Sequence, residues 1–94
     1  MARTAKPALR QVIRHKGDTF RELYTNSIEM KVTYFDVSLV FGKILELDEK
    51  KLEVELQTAV VMSPQHAKSL LKVLTENMKK YEERYGEVAE PPTK

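Results

Sequence analysis

The sequence predicts an α+β domain: an antiparallel meander of three or four strands, packed by one long C-terminal helix. Three observations predict it. Between residues 20 and 62, apolar side chains recur at every second position in three successive runs, the period of half-buried strands. Between residues 63 and 86 the period changes to steps of three and four, and both ends carry terminus signals. The connections between runs are short, and strands adjacent in sequence usually pair in space. A helix with one apolar stripe laid on a sheet with one apolar face is a two-layer solution.

The N-terminal stretch comes first. Residues 1–16 have little apolar content and form a basic arm of Arg3, Lys6, Arg10, Arg14 and Lys16 without an acid. Such a segment is expected to be a flexible arm. Val12 and Ile13 within residues 9–15 suggest a short strand, and Lys16-Gly17-Asp18 reads as a turn. The domain proper is expected over residues 17–88, with strands at about 20–32, 34–45 and 51–62, a helix at about 64–85, and a proline-bearing disordered tail at 89–94.

In the first strand Tyr24, Asn26, Ile28, Met30 and Val32 alternate with Thr25, Ser27, Glu29 and Lys31. Asn26 falls on the apolar side of that alternation; a buried amide must find partners, and a strand edge or bulge is where it commonly does so. In the second strand Phe35, Val37, Leu39 and Phe41 face one way, with Asp36, Ser38 and Val40 opposite. Gly42 marks a bulge or a close backbone approach. The third places Leu52, Val54, Leu56, Thr58, Val60 and Met62 on one face against Lys51, Glu53, Glu55 and Gln57. The helix then opens on Ser63 as N-cap and Pro64 at the first helical position. It closes at Gly86, where glycine is suited to the residue beyond the last turn. Ala67, Leu70, Leu71, Leu74, Met78, Tyr81 and Tyr85 form its stripe. Glu76 and Lys80 stand four apart in the favourable order.

Composition bounds the function. The chain has 94 residues, 41% hydrophobic and 32% charged, which suits one small globular domain. It has no cysteine, so neither a disulfide framework nor a thiolate zinc site is available. No apolar run has the ~20 residues a bilayer needs, and no signal-peptide pattern is present. The expected location is the cytoplasm, with no membrane partner. Outside the arm, eleven basic residues face all fourteen acidic ones, so the basicity belongs to the arm.

Candidate chemistry is sparse. Ser63 and His66 stand three apart, but catalysis by that pair needs an orienting acid and an oxyanion hole, and the capping role accounts for Ser63. Two histidines without cysteine make a poor metal set. Asp36 lies opposite the core-facing side chains and reads as a solvated or interface acid. Glu53 and Glu55 share a face, as carboxylates on a solvent-facing strand do. No phosphate-cradling glycine pattern occurs. The sequence therefore points to a non-enzymatic protein without cofactor or metal.

The apolar residues do leave a remainder. Val40, Ala59, Val61 and Tyr34 fall on the sheet face away from the expected helix, and Val73 lies off the helix stripe. A contiguous exposed patch marks an interface, and open sheet edges need protection. Tyr34, Val40, Val61 and Val73 are thus the candidate interface residues, with a homodimer or homotetramer expected and a protein client or partner possible. The competing reading is that the N-terminal segment folds back over the face. An alternative function is nucleic-acid binding by the arm, since Arg3, Lys6, Arg10, Arg14 and Lys16 would supply phosphate contacts. Against it, the arm has no aromatic residue for base stacking.

The segments Tyr24-Thr25-Asn26-Ser27-Ile28, Tyr34-Phe35-Asp36-Val37-Ser38-Leu39-Val40-Phe41-Gly42 and Val60-Val61-Met62-Ser63-Pro64-Gln65-His66-Ala67-Lys68, with Tyr81-Glu82 and Tyr85-Gly86, resemble the DUF3467 family. These are small bacterial and archaeal proteins catalogued as a domain of unknown function. The resemblance covers about residues 20–88 and brings no catalytic residue. The order of strand meander and long helix also looks similar to the SecB export chaperone. That likeness implies assembly through sheets and helices and a chaperone-like role, by fold analogy alone.

Overall fold

A computed structural model describes residues 9–90. It contains β1 (Ser27–Val32), β2 (Val37–Leu47), β3 (Leu52–Met62) and α1 (Pro64–Tyr85) in that order. The strands form one antiparallel sheet in the order β1-β2-β3. The α+β class, the three-stranded meander and the long C-terminal helix are those predicted. Arg3 and Lys6 of the arm, and residues 91–94 of the tail, lie outside the described residues.

β1 starts at Ser27 and not at residue 20, and side-chain hydrogen bonds explain why. The Asn26 N–H still donates to the Gly42 carbonyl (3.1 Å). Its side-chain Oδ1, however, accepts the Ile44 N–H at 2.8 Å, where a ladder would use a backbone carbonyl. The Thr25 hydroxyl donates to the same Gly42 carbonyl at 2.6 Å. Side chains thus close the end of the ladder, and the chain before Thr25 leaves the sheet. The short strand expected at residues 9–15 is absent. The turn that follows is present, with Phe20 N–H donating to the Gly17 carbonyl (3.1 Å).

The two hairpin loops, residues 33–36 and 48–51, close in the same way. Thr33 N–H donates to the Asp36 carbonyl and Asp48 N–H to the Lys51 carbonyl, both at 2.9 Å. Thr33 Oγ1 accepts the N–H groups of Phe35 and Asp36, each at 3.1 Å. Asp48 Oδ1 accepts those of Lys50 (2.9 Å) and Lys51 (2.8 Å). Among the described residues no side-chain-bearing residue has positive φ, so the tight two-residue turns that require it are not used. A side-chain oxygen on the first loop residue organises each turn instead.

The β2–β3 register shifts twice, between Phe41 and Gly42 and between Ile44 and Glu46. Phe41 pairs with Thr58 but Gly42 pairs with Leu56, leaving Gln57 as the extra residue of a bulge. Because β2 alternates regularly through this point, Gly42 and Ile44 face away from Val37, Leu39 and Phe41. Their partners Leu56 and Val54 do likewise. The third run is therefore not on one face as its alternation predicts: Val60 and Met62 take one face, Leu56 and Val54 the other. Gly42 corroborates this placement, since a Cβ there would stand 2.8 Å from Val54 Cγ1 and 2.8 Å from the Glu55 carbonyl oxygen.

α1 spans the predicted 22 residues. Ser63, in extended conformation (φ −69°, ψ 157°), accepts the His66 N–H on its hydroxyl at 3.1 Å, and Pro64 follows. Gly86 takes φ +102° while its N–H donates to the Glu82 carbonyl (2.9 Å), a backbone that a residue with Cβ adopts only at a cost. The Asn77 side chain donates back to the Val73 carbonyl at 2.8 Å. Among the described residues the ion pairs belong to Lys51, with Glu46 (3.1 Å) and Glu53 (3.7 Å), and not to Glu76 and Lys80.

The core is small. Val37 (8% exposed) and Leu39 (6%) are the buried hydrophobic residues among those described. Each sits on the central strand between apolar neighbours: Val32 and Met62 flank Val37, while Met30 and Val60 flank Leu39. No α1 residue is buried, and the extensive contacts between elements are those of β1 with β2 and β2 with β3. The helix follows the sheet but its stripe is not covered by it. The Cα radius of gyration is 18.3 Å, against ~12 Å for a compact chain of this length.

Candidate interaction surface

Apolar surface stands open on both the sheet and the helix of the single chain. On the sheet, register places Val61 opposite Ser38, Ala59 opposite Val40, Leu56 opposite Gly42, Val54 opposite Ile44 and Leu52 opposite Leu47. Paired residues share a face, so these side chains form one apolar band along the whole β2–β3 ribbon. Val40, Ile44 and Val54 are half-buried within it, whereas Val61 and Leu56 are each 60% exposed. On β1 the same face carries Glu29 and Lys31, opposite Val40 and Ser38.

The reverse face divides in two. Toward the helix end it is apolar: Val37 and Leu39 are buried there, while Ile28, Met30 and Val32 on β1 are each more than half exposed. Toward the 48–51 loop it carries Lys43 paired with Glu55 and Glu46 paired with Glu53, with the Lys51 ammonium between Glu46 and Glu53. Glu53 therefore belongs to a surface charge network with Lys51 and Glu46, Glu55 lies beside Lys43 on the same face, and Glu46 and Glu53 remain about half exposed.

The open surface of the helix is the stripe of α1. Leu70, Leu71, Leu74, Met78, Tyr81 and Tyr85 are all exposed. Tyr81 and Tyr85 pack against each other with ring centroids 4.8 Å apart. One turn of helix separates these side chains, so the stripe is continuous from the first turn to the last.

The candidate interface residues separate in space. Val40 and Val61 lie on the same sheet face, as the alternation places them. Tyr34 sits instead at the tip of the 33–36 loop, 89% exposed and edge-on to Phe35 with centroids 5.2 Å apart. Val73 is exposed on α1. Sequence reasoning missed Ile44, Leu47, Leu52, Val54 and Leu56 as members of the free face. For Leu52, Val54 and Leu56 the signal is Gly42, opposite the bulge that changes the face of the β3 residues before it; Ile44 shares the parity of Val40, and Leu47 joins the face through the second register shift, past Ile44.

The remaining candidates have structural roles. Ser63 and Pro64 cap the start of α1 and Gly86 its end. Asp36 accepts the Thr33 hydroxyl at Oδ1 (3.1 Å) and belongs to its turn. Asn26 completes the ladder. Gln57 Oε1, at the bulge, is buried with no hydrogen-bond partner among the described residues. Arg10, Arg14 and Lys16 are exposed, and Lys16 Nζ stands 5.1 Å from the Phe20 ring centroid. Among the described residues no three His, Asp or Glu side chains stand close enough to hold a metal ion, and no helix is long and apolar enough to cross a membrane.

Comparison with known proteins gives one match. The model of a family described as "Protein of unknown function (DUF3467)" matches residues 1–90, a span that includes the arm as well as the segments that carry the resemblance. Nothing matches among curated proteins or among solved structures, and the likeness to the SecB fold has no support from them.

Proposed function

The chain belongs to the DUF3467 family, and we propose that it is a non-enzymatic, self-associating protein that works by binding through apolar surface, as a chaperone-like or adaptor module. The observation that carries this reading is the disproportion between core and surface. Among the described residues two hydrophobic side chains are buried, while the helix stripe is exposed and a sheet face is exposed or half-buried along its length. Folding has to offset ~1–2 kcal/mol of backbone entropy per residue. Burial returns only ~25 cal/mol per Å² of apolar surface, so this chain reaches ordinary stability only when other surface covers its own.

Self-association supplies that surface at no cost in new sequence. A two-fold assembly uses the same patch on both partners. Contiguous apolar faces left open on a small chain mark interaction surfaces.

The test is absolute mass by light scattering behind a sizing column, at low and at high salt. The expected result is an integer multiple of the 10.9 kDa chain mass that persists at high salt, since apolar association is not screened. A monomer under both conditions overturns the reading. For the binding role, the assembled protein is expected to suppress aggregation of a chemically unfolded model protein; no suppression at equimolar ratio removes the chaperone-like form of the proposal.

A further inference from the structure

We infer that the free face of the β2–β3 ribbon is the seat of α1 from a second copy of this chain. The inference rests on the self-association proposed above and goes further, by naming which surfaces meet. Four observations carry it.

The first is connectivity. β3 ends at Met62 and α1 begins at Pro64, with Ser63 alone between them. Strand-to-helix connections that fold a helix back on its own sheet take roughly two to six residues. A one-residue link does not let α1 reverse along its own β3, and its residues are accordingly unburied. The second is length. The 22 residues of α1 extend ~33 Å, and the 11 residues of β3 extend ~36 Å. A stripe running the full helix meets a band running the full strand.

The third is the choice of face. Lys43, Glu46, Lys51, Glu53 and Glu55 occupy one half of the reverse face, with ion pairs among them, and would be desolvated under an apolar helix. The free face carries no charge on the ribbon between Val61 and Leu52, so it alone offers a dry seat along its length. The fourth is charge. α1 holds five Lys and Arg residues against three Glu, whereas residues 43–57 hold five acids against three lysines. Helix and ribbon are therefore opposite in sign, which favours their approach. Two copies related by a two-fold axis satisfy both seats at once.

The chain has no cysteine, so single cysteines give clean attachment points. Ala59→Cys and Val61→Cys, each on the free face, carry a benzophenone photo-cross-linker in a mixture of ¹⁴N and ¹⁵N protein, and adducts are mapped by mass spectrometry. Light scattering first checks that each labelled variant keeps the mass of the unmodified chain. The expected result is mixed-isotope adducts that fall on residues 67–85. Mixed-isotope adducts on residues 27–62 overturn the inference but leave self-association standing, as do adducts confined to one copy in a protein of multiple mass. A monomeric unmodified chain removes both. If the label itself disrupts assembly, carbodiimide coupling of unmodified mixed-isotope protein decides. Inter-copy amides between α1 lysines and Glu29, on the free face, or Asp48 and Glu49, at its loop end, support the inference; inter-copy links confined to Glu46, Glu53 and Glu55 of the reverse face, or to two ribbons or two helices, overturn it.

Discussion

Gly42→Ala tests the register of the sheet, on which the composition of the free face depends. Gly42 is a buried residue on the central strand, at the step where β3 carries its extra residue. A methyl group there would stand 2.8 Å from the Glu55 carbonyl oxygen and 2.8 Å from Val54 Cγ1. The valine can move, but the carbonyl oxygen belongs to the ladder and moves only with the strand. Forcing an added methyl into such a site costs ~1–3 kcal/mol. Against a total of ~5–15 kcal/mol for a domain, that is a large fraction, and it lowers Tm by roughly 4–8 °C per kcal/mol at this chain length. Gly17→Ala supplies the contrast, because nothing lies within 4 Å of its Cβ position and its φ is not positive. There the loss of unfolded-state freedom predicts a gain of ~0.4–1 kcal/mol. Both variants are compared with the parent in urea unfolding at one protein concentration, since the proposed assembly would make the midpoint depend on concentration. Equal stability of Gly42→Ala and the parent would refute the bulge placement, and with it the assignment of Leu56 and Val54 to the free face.

Other expectations follow from single contacts. Replacing both Val40 and Val61 by Lys removes two side chains worth ~1.5–3 kcal/mol each when fully buried; the assembly should weaken by at least ~100-fold in Kd, read by sedimentation over a concentration series. Ser63→Ala removes the acceptor of the His66 N–H and should cost ~1 kcal/mol in thermal unfolding. Asp48→Ala removes an acceptor used by two backbone N–H groups and should cost ~1–2 kcal/mol, with Asp48→Asn recovering part of it because an amide oxygen accepts the same bonds.

How legible was this fold? The helix was legible to the residue, because Ser63, Pro64 and Gly86 each answer a backbone need that exists only at a helix end. β2 and β3 are legible within three residues at each end, since their alternation is strong and the intervening turn is polar. β1 was overextended, because Tyr24 and Asn26 continue the alternation while the Asn26 amide ends the ladder. Alternation reports which residues are apolar, not which backbone groups pair. The same limit hid the bulge at Gln57. Leu52 through Met62 read as one face by parity, but one extra residue on a strand reverses the parity beyond it, and only Gly42 hinted at where. The free face is therefore half visible in the alternation, as Val40, Ala59 and Val61, while Leu52, Val54 and Leu56 read as the opposite side and Ile44 is left without a face. Tyr34 was placed on a strand by its neighbours' pattern, but the Thr33 hydroxyl draws it into a turn. The helix stripe was fully visible. Its lack of cover within the chain was not, because a periodic pattern shows that a side chain wants burial and not which surface supplies it.

The proposed self-association completes, from another copy, a core that one chain lacks. Urea unfolding followed by circular dichroism over a hundredfold range of protein concentration tests that claim most directly. Folding coupled to assembly predicts a midpoint that rises steadily with concentration and a folded signal that is lost on dilution. A midpoint independent of concentration, with cooperative unfolding of a monomer, would contradict it.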